Sequence, residues 1–284
     1  MPGKGQLMDE LWLAALYDVL KWVAGLAAAI VLVLVLGLPR VRLRRRSLFK
    51  FLGVTKQQPA FRVYLSTVFV TPGGAVDFRG AARTFAGPAI PAGELAAVGE
   101  LAHMFSDAIL DELPGRLRRW LARRVSWVFQ SVTPELLASP PDPGLVTPGN
   151  TLTVGSRYYN SATEVVAQSG RMTLTFDLAK APPGIRVTSG RDSGRVFQLR
   201  AGEADDLAIL EKVADERNDS TAFVAAGLGE VGSRGAADYF ATNWRELYSR
   251  YGTKAFSLCL RFQNVNADPN AHRRAEELWS YAEQ

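Results

Sequence analysis

The tetrapeptide Val-Gly-Ser-Arg occurs twice in this chain, at 154–157 and again at 231–234. Four common residue types repeat by chance about once in a chain of this length, so the duplication alone has no meaning. Its position is informative, because each copy lies between an apolar, strand-like run and a helical pattern. Backbone amides, an arginine and tyrosines in such loops are groups that hold phosphate and stack on bases. In open α/β sheets, ligands bind in loops at the carboxyl ends of strands.

The first loop joins a predicted strand to a predicted helix. The motif S-x-x-E at 161–164 is a capping box, which predicts that the helix starts at Ser161. The candidate ligand-binding residues of this loop are Gly155, Ser156, Arg157, Tyr158 and Asn160. The arginine is expected to pair with a phosphate, the tyrosine or its neighbour Tyr159 to stack on a base, and the asparagine to read a polar edge. The alternative interpretation is that the tyrosines pack against the sheet edge and the asparagine caps the turn.

The second loop contains Gly-Leu-Gly-Glu-Val-Gly at 227–232, which matches G-x-G-x-x-G. It resembles the dinucleotide-binding Rossmann fingerprint, because a predicted strand precedes it and a predicted helix follows. The resemblance implies that the amides at the helix N-terminus hold the phosphates of a nucleotide. The alternative is that the glycines serve only the turn, since the next strand lacks an acidic residue for the ribose. The candidate ligand-binding residues here are Gly227, Gly229, Gly232, Ser233 and Arg234, with Ser233 as the expected N-cap.

Residues suited to catalysis or metal binding are sparse. With one cysteine, Cys259, and two histidines, His103 and His272, a zinc site has too few ligands. Asp205 and Asp206 suit a strand entry better than a metal pair. No nucleophile, base and acid occur at a recognisable spacing, so the sequence predicts neither a catalytic nor a metal site and identifies no cofactor.

The run at 22–38 carries no charge and predicts a transmembrane helix, because it covers about 26 Å of the roughly 30 Å hydrocarbon core. A buried core helix or a cleaved signal peptide is the alternative. The basic cluster from Arg40 to Arg46 follows the run, and by the positive-inside rule this predicts a cytoplasmic location for the rest of the chain. The same arginines are candidates for binding anionic lipid. Their position beside the bilayer argues against DNA or RNA as a partner.

Four parts are predicted along the chain. They are a short extracytoplasmic N-terminus with the helix entry at 1–21, the transmembrane helix at 22–38, a basic juxtamembrane linker at 39–58 and a cytoplasmic α/β domain at 59–284.

Within the domain, predicted strands alternate with predicted helices. The strands are 61–70, 151–156, 207–214, 221–228 and 254–262, and the helices are 94–113, 116–130, one starting at 161, and 235–250. A proline-rich linker at 138–150 and a hairpin-like region at 173–200 complete the pattern. This alternation predicts the fold class, an α/β protein in which a single N-terminal transmembrane helix precedes a Rossmann-like, mostly parallel sheet with helices on both faces.

Three functions are compatible with these features. The first is a membrane-anchored sensor or regulatory module that binds a nucleotide or another phosphate-bearing small ligand. The second is a membrane-tethered scaffold that binds a protein partner and no ligand. The third is a nucleotide- or nucleoside-processing enzyme that uses carboxylates such as Glu230 or Asp238 near the two loops.

Overall fold

A computed structural model gives the fold of the chain. It describes residues 21, 46–55, 57–58, 60–70, 87–105, 134–140, 142–147, 149–179, 181–199, 204–215, 219–263 and 265–283. The chain divides into two compact units, Met1–Arg46 and Ser47–Gln284. Only Lys21 and Arg46 are described in the first unit.

The predicted transmembrane helix at 22–38 lies outside the described residues, as do most of the arginine cluster and the predicted helix at 116–130. Within the part of the chain that the structure describes, no helix combines the length and the apolar character needed to cross a bilayer. The membrane location stays a prediction.

Twelve strands and three α-helices are described with both ends. The strands are β1 (Phe61–Leu65), β2 (Val68–Val70), β3 (Gly87–Ala89), β4 (Glu135–Ala138), β5 (Asn150–Val154), β6 (Leu174–Asp177), β7 (Gly184–Val187), β8 (Val196–Gln198), β9 (Asp206–Asp215), β10 (Ser220–Gly227), β11 (Phe256–Phe262) and β12 (Ala275–Ala282). The helices are α1 (Ala92–Phe105), α2 (Ser161–Gln168) and α3 (Glu230–Tyr251), with short 3-10 helices at Pro143–Leu145 and Ala271–Arg273.

Seven strands form the main sheet in the order β12-β11-β9-β10-β5-β1-β4. The pairs β4–β1, β1–β5 and β5–β10 are parallel, whereas β10–β9, β9–β11 and β11–β12 are antiparallel. The predicted fold class is therefore wrong, because the sheet is neither Rossmann-like nor mostly parallel. The structure is a mixed α/β sheet.

The short connection between β9 and β10 explains this difference. A parallel pair needs a crossover of a dozen or more residues, whereas β10 starts at Ser220, shortly after β9 ends at Asp215. The two strands therefore form a hairpin, with Ser220 paired to Asp215 at its closed end. Helix α3 then crosses over β9 and leads into β11, so β9 lies between two strands that run in the opposite direction.

The two faces of the main sheet are covered differently. On one face, α1, α3 and the helical residues 47–52 enclose a core of fully buried aromatic rings, Phe51, Phe61, Phe223, Phe240 and Phe256. On the other face, the antiparallel sheet β6-β7-β8 packs over Leu207, Ile209 and Cys259, and the short helix α2 packs against β5 and β10. The predicted hairpin-like region at 173–200 is thus confirmed as a small sheet.

Residues 47–52, predicted as part of the linker at 39–58, belong instead to the core. Leu48, Phe51 and Leu52 are buried, and the ring of Phe51 lies 5.3 Å from that of Phe223 and 5.7 Å from that of Phe240. The sequence at 47–52 does not predict a helix, because the apolar run is less than two turns long. The compact unit therefore begins at Ser47.

This packing makes Phe51 a test of where the folded unit starts. We expect Phe51→Ala to lower the free energy of unfolding by about 3 to 5 kcal/mol, because it leaves a cavity among buried aromatic rings. Lys50→Ala, at the neighbouring exposed position, is the matched control and should change it little. Urea denaturation of both variants measures the difference, and equal stabilities would contradict the assignment of 47–52 to the core.

Candidate ligand-binding site

The two predicted loops emerge from adjacent parallel strands. Ala222 of β10 pairs with Thr151 of β5, and Ala225 pairs with Val154, so both strands end at the same edge of the sheet. The expected pairing is confirmed, and the loops after Val154 and after Gly227 lie side by side. The binding of a ligand between them stays a prediction.

In the first loop, Gly155 is required by the packing beneath it. Its φ is +101°, and a Cβ there would lie 1.9 Å from Ser66 Oγ and 2.5 Å from Glu94 Oε1. The amide of Gly155 donates to the carbonyl of Ala225, which closes the end of the β5–β10 pair. The glycine therefore serves the turn through both its conformation and its lack of a side chain.

Asn160 is the N-cap of α2. Its Oδ1 accepts hydrogen bonds from the amides of Ala162 at 3.0 Å and Thr163 at 3.3 Å. Its Nδ2 donates to the carbonyls of Val154 and Tyr64 at 2.8 and 3.0 Å. Since these bonds use both ends of a buried amide, the alternative interpretation of Asn160 as a cap is confirmed. The predicted helix start at Ser161 is also confirmed, although Ser161 itself is not the cap.

The second loop holds an anion that belongs to the chain. Asp206 is 3% exposed, and its carboxylate accepts from the amides of Gly229 at 2.9 Å and Gly232 at 2.7 Å. These amides stand at the start of α3, where the helix dipole also favours negative charge. The groups that a nucleotide phosphate would use in the fingerprint are therefore already paired with a carboxylate.

Ser233 lies inside α3 and not at its start. Helix α3 begins at Glu230 with Gly229 as N-cap, so the prediction that Ser233 caps the helix is wrong. The Ser233 hydroxyl accepts from the amide of Gly227 at 3.0 Å and donates to the carbonyl of Gly229 at 3.2 Å. It thereby holds the turn between β10 and α3. A Cβ on Gly227 would lie 2.3 Å from the Ser233 nitrogen, which explains the glycine at that position.

Two glutamates connect the helices at this edge of the sheet. Glu230 Oε1 accepts from the amide of Gly93 at 2.5 Å, which joins the start of α3 to the start of α1. Glu94 Oε2 accepts from the amide of Ser66 at 2.7 Å, and Glu94 is buried. Burial raises the pKa of Glu94 to about 7, although the hydrogen bonds from Ser66 oppose this rise, and the nearby charge of Glu230 contributes a smaller part of it. Glu230 thus has a structural partner at the position that the enzyme hypothesis assigns to catalysis.

A cavity of about 840 Å³, which we call the main cavity, opens between the two loops and the small sheet. Four of the predicted residues line it, namely Ser156, Tyr158, Gly227 and Gly229. The other aromatic and aliphatic lining comes from Tyr159, Phe176, Leu178, Ala181, Pro183, Leu199, Ala204, Leu228 and Val265. Asp205, Asp206 and Asn266 complete the described wall. This volume lies in the range of small-molecule sites, which are mostly apolar with a few polar groups.

The two predicted arginines contact other groups. Arg157 lines a second cavity, of about 340 Å³, and its Nε lies 3.9 Å from Glu164 Oε2. Arg234 Nε lies 3.7 Å from Asp238 Oδ2, and the same oxygen is 3.4 Å from His272 Nε2. Burial raises the pKa of Asp238 to about 6 and lowers that of His272. Among the described residues, neither arginine lines the main cavity.

Sequence reasoning missed most of the cavity wall. Leu178, Leu199 and Val265 belong to the region around the small sheet and to the β11–β12 connection, and no spacing in the sequence relates them to the two loops. Asp206 was correctly placed at a strand entry, but its partners lie on α3. The available signal in the sequence was Asp206 itself, an acidic residue at a strand entry, which can accept hydrogen bonds from the amides of a glycine-rich turn.

Groups of three or more metal-ligating side chains are absent from the described part of the chain. Comparisons with protein families, curated proteins and solved structures find no match for this chain. The proposals below therefore rest on the geometry of the chain itself.

The pairing of Asp206 with α3 can be tested by Asp206→Asn. An asparagine offers one acceptor and one donor, so it would leave the amide of Gly229 or of Gly232 facing an NH2 group. We expect the free energy of unfolding to fall by about 1 to 3 kcal/mol, the cost of an unsatisfied buried donor. Asp219→Asn, at an exposed turn residue with φ of +46°, is the control. Chemical denaturation measures the free energy of unfolding of both variants. Similar values for the two would contradict the structural role of Asp206.

The buried carboxyl of Glu94 predicts a pH-dependent stability. Because its pKa is raised from 4.5 to about 7, the folded state binds more protons than the unfolded state, and the free energy of unfolding falls as pH rises through this interval. Replacing it with glutamine removes this loss. We therefore compare the free energy of unfolding of Glu94→Gln with that of the wild type at two pH values. We expect this difference to favour the variant by about 2 kcal/mol more at about pH 8 than at about pH 5.

Urea denaturation at the two pH values measures this difference. The exposed Glu246→Gln variant, on α3, is the matched control. An equal pH-dependent difference in both variants would show that Glu94 is not its source.

Proposed function

We propose that this chain is a small-molecule binding module, acting as a sensor or regulator, whose ligand occupies the main cavity between the two loops. The ligand is a compact, largely apolar molecule with an aromatic ring and no negative charge. The observation that carries this proposal is the cavity of about 840 Å³, open at the carboxyl ends of two adjacent parallel strands. Ligands of α/β sheets bind at such an edge.

The aromatic and apolar lining supports the character of the ligand. Tyr158 and Tyr159 remain 53% and 46% exposed at the mouth of the cavity, and Leu178 is 48% exposed. When a ligand removes exposed aromatic and aliphatic side chains from water, their burial favours binding. Stacking on a tyrosine ring adds about 0.5 to 1.5 kcal/mol for an aromatic ligand. Ser156 and Asn266 provide polar groups that orient it.

The charges around the cavity argue against a phosphate. Asp205 and Asp206 are the charged side chains in its described wall, and both would repel an anion. Asp205 Oδ2 lies 3.9 Å from Arg261 Nε, whereas Asp206 is held by backbone amides. We therefore propose an uncharged or positively charged ligand in place of the nucleotide that the fingerprint suggests.

Fluorescence of a neutral aromatic probe, N-phenyl-1-naphthylamine, tests this proposal on the full-length protein. Leu178 lines the cavity, so Leu178→Arg should lower the affinity of the cavity for the probe about tenfold, which corresponds to about 1.4 kcal/mol. Leu145→Arg is the matched control, because Leu145 is also an exposed leucine, at 66%, and lies outside the cavity. Neither inorganic phosphate nor adenosine monophosphate should displace the probe.

Each alternative has its own outcome in this experiment. Displacement by adenosine monophosphate that is lost in Arg157→Ala would favour a nucleotide ligand over the proposal. Equal binding by Leu178→Arg and Leu145→Arg would exclude the cavity as the site and favour a scaffold that binds a protein partner.

A further inference from the structure

A buried carboxylate with one unpaired oxygen lies in the middle of β9, under the start of β6. Glu211 of β9 is 1% exposed. Its Oε1 accepts from Ser257 Oγ at 2.5 Å and from the amides of Thr173 and Leu174 at 2.8 and 3.2 Å. Its Oε2 has no hydrogen-bond partner among the described residues. A buried acceptor without a donor is costly, and more so when it is charged.

Glu211 lines a cavity of about 280 Å³ that is separate from the main cavity. Its wall is formed by β9 and β11, by Thr173 just before β6, and by Tyr281 of β12. The carboxylate is fixed within this wall, because three donors hold its other oxygen. The cavity therefore combines a rigid acceptor with room for a molecule of roughly ten heavy atoms.

The charges around this cavity favour a cation. Glu211 and Glu283 contribute two carboxylates to its wall, and Arg171 contributes one guanidinium, which donates to the carbonyl of Ala214. Lys212 also borders the cavity, but its ammonium lies 5.2 Å from the ring centroid of Phe51 and 5.7 Å from that of Phe223, in the core on the other face of the sheet. The described side chains that face the cavity therefore carry one more negative than positive charge.

We propose that this cavity is a second binding site, which takes a small primary ammonium compound whose N–H group donates to Glu211 Oε2. An ammonium group supplies several donors on a compact charge, so it fits one fixed carboxylate oxygen in a small space. A charge-assisted hydrogen bond of this kind is stronger than a neutral one. The site is distinct from the proposed main cavity and does not depend on it.

Binding to this site should follow the ionisation of Glu211. Burial raises the pKa of Glu211 to about 7, so the carboxyl is largely protonated in mildly acidic solution and cannot accept a donor at Oε2. Arg171, Lys212, Tyr281 and Glu283 are the other titratable groups of the wall. The ammonium group of an alkylamine stays charged throughout this range. The affinity should therefore rise several-fold between about pH 6 and about pH 8.

Thermal denaturation of the full-length protein with propylammonium chloride tests the proposal, with potassium chloride at equal concentration as the reference. A saturable rise in melting temperature is expected for the wild type at about pH 8, and a weaker one at about pH 6. Glu211→Gln keeps the acceptor for Thr173 and Leu174 but removes the charge, and should weaken the binding of propylammonium at least about tenfold. Glu246→Gln, on the exposed surface of α3, should bind as the wild type does.

Three results would overturn the proposal. One is a wild-type melting temperature that does not respond saturably to propylammonium, and another is an equal response to uncharged 1-propanol. The third is an unchanged affinity in Glu211→Gln. The pH dependence of the wild type provides a separate test if the glutamine variant does not fold, because an affinity that is equal at both pH values would also contradict the site.

Discussion

The carboxylate of Asp206 is the interaction on which the rest of this architecture depends. It lies buried at the start of β9 and accepts hydrogen bonds from the first amides of α3, which follow the end of β10. The first amides of a helix have no partner within the helix, and a negative charge there also interacts favourably with the helix dipole. One side chain thus fixes the direction in which α3 leaves the sheet. The packing of α3 over the aromatic core follows from that direction.

The same interaction changes the meaning of the glycine-rich turn. The pattern G-x-G-x-x-G predicts amides that surround an anion, and the structure has such amides around an anion, but the anion is a side chain of the protein. Gly227 allows the close approach of Ser233, and a Cβ on Gly232 would lie 3.0 Å from Asp206 Oδ1. Gly227 and Gly232 are therefore explained by internal packing. The cavity beside the turn consequently has an acidic wall and not a basic one.

Local patterns in the sequence predicted much of the secondary structure and little of its arrangement. The strand at 207–214 and the strand and helix around the first loop were predicted correctly, because each depends on periodicity or on short-range capping. The shared sheet edge of the two loops was also predicted correctly, because loops that follow parallel strands emerge at the same edge. The antiparallel insertion of β9 depends on which strands become neighbours, and the alternation of strands and helices does not determine this. The cavity wall from the small sheet and the partner of Asp206 are contacts over long sequence distances, for which one sequence has no signal.

Several acidic side chains are buried beside the main sheet or within it, and their partners explain why the two proposed sites are rigid. Asp206, Glu94 and Glu211 each accept from backbone amides, so each holds a loop or a strand end in a single position. A wall fixed in this way needs little ordering when a ligand enters, and the free energy of contact is then not offset by lost conformational freedom. The two cavities differ in what remains unpaired. At the main cavity, apolar and aromatic surface is left exposed to water, whereas at the second cavity a single oxygen of Glu211 is left without a donor among the described residues. The first arrangement selects a ligand by its apolar area, and the second selects one by its positive charge.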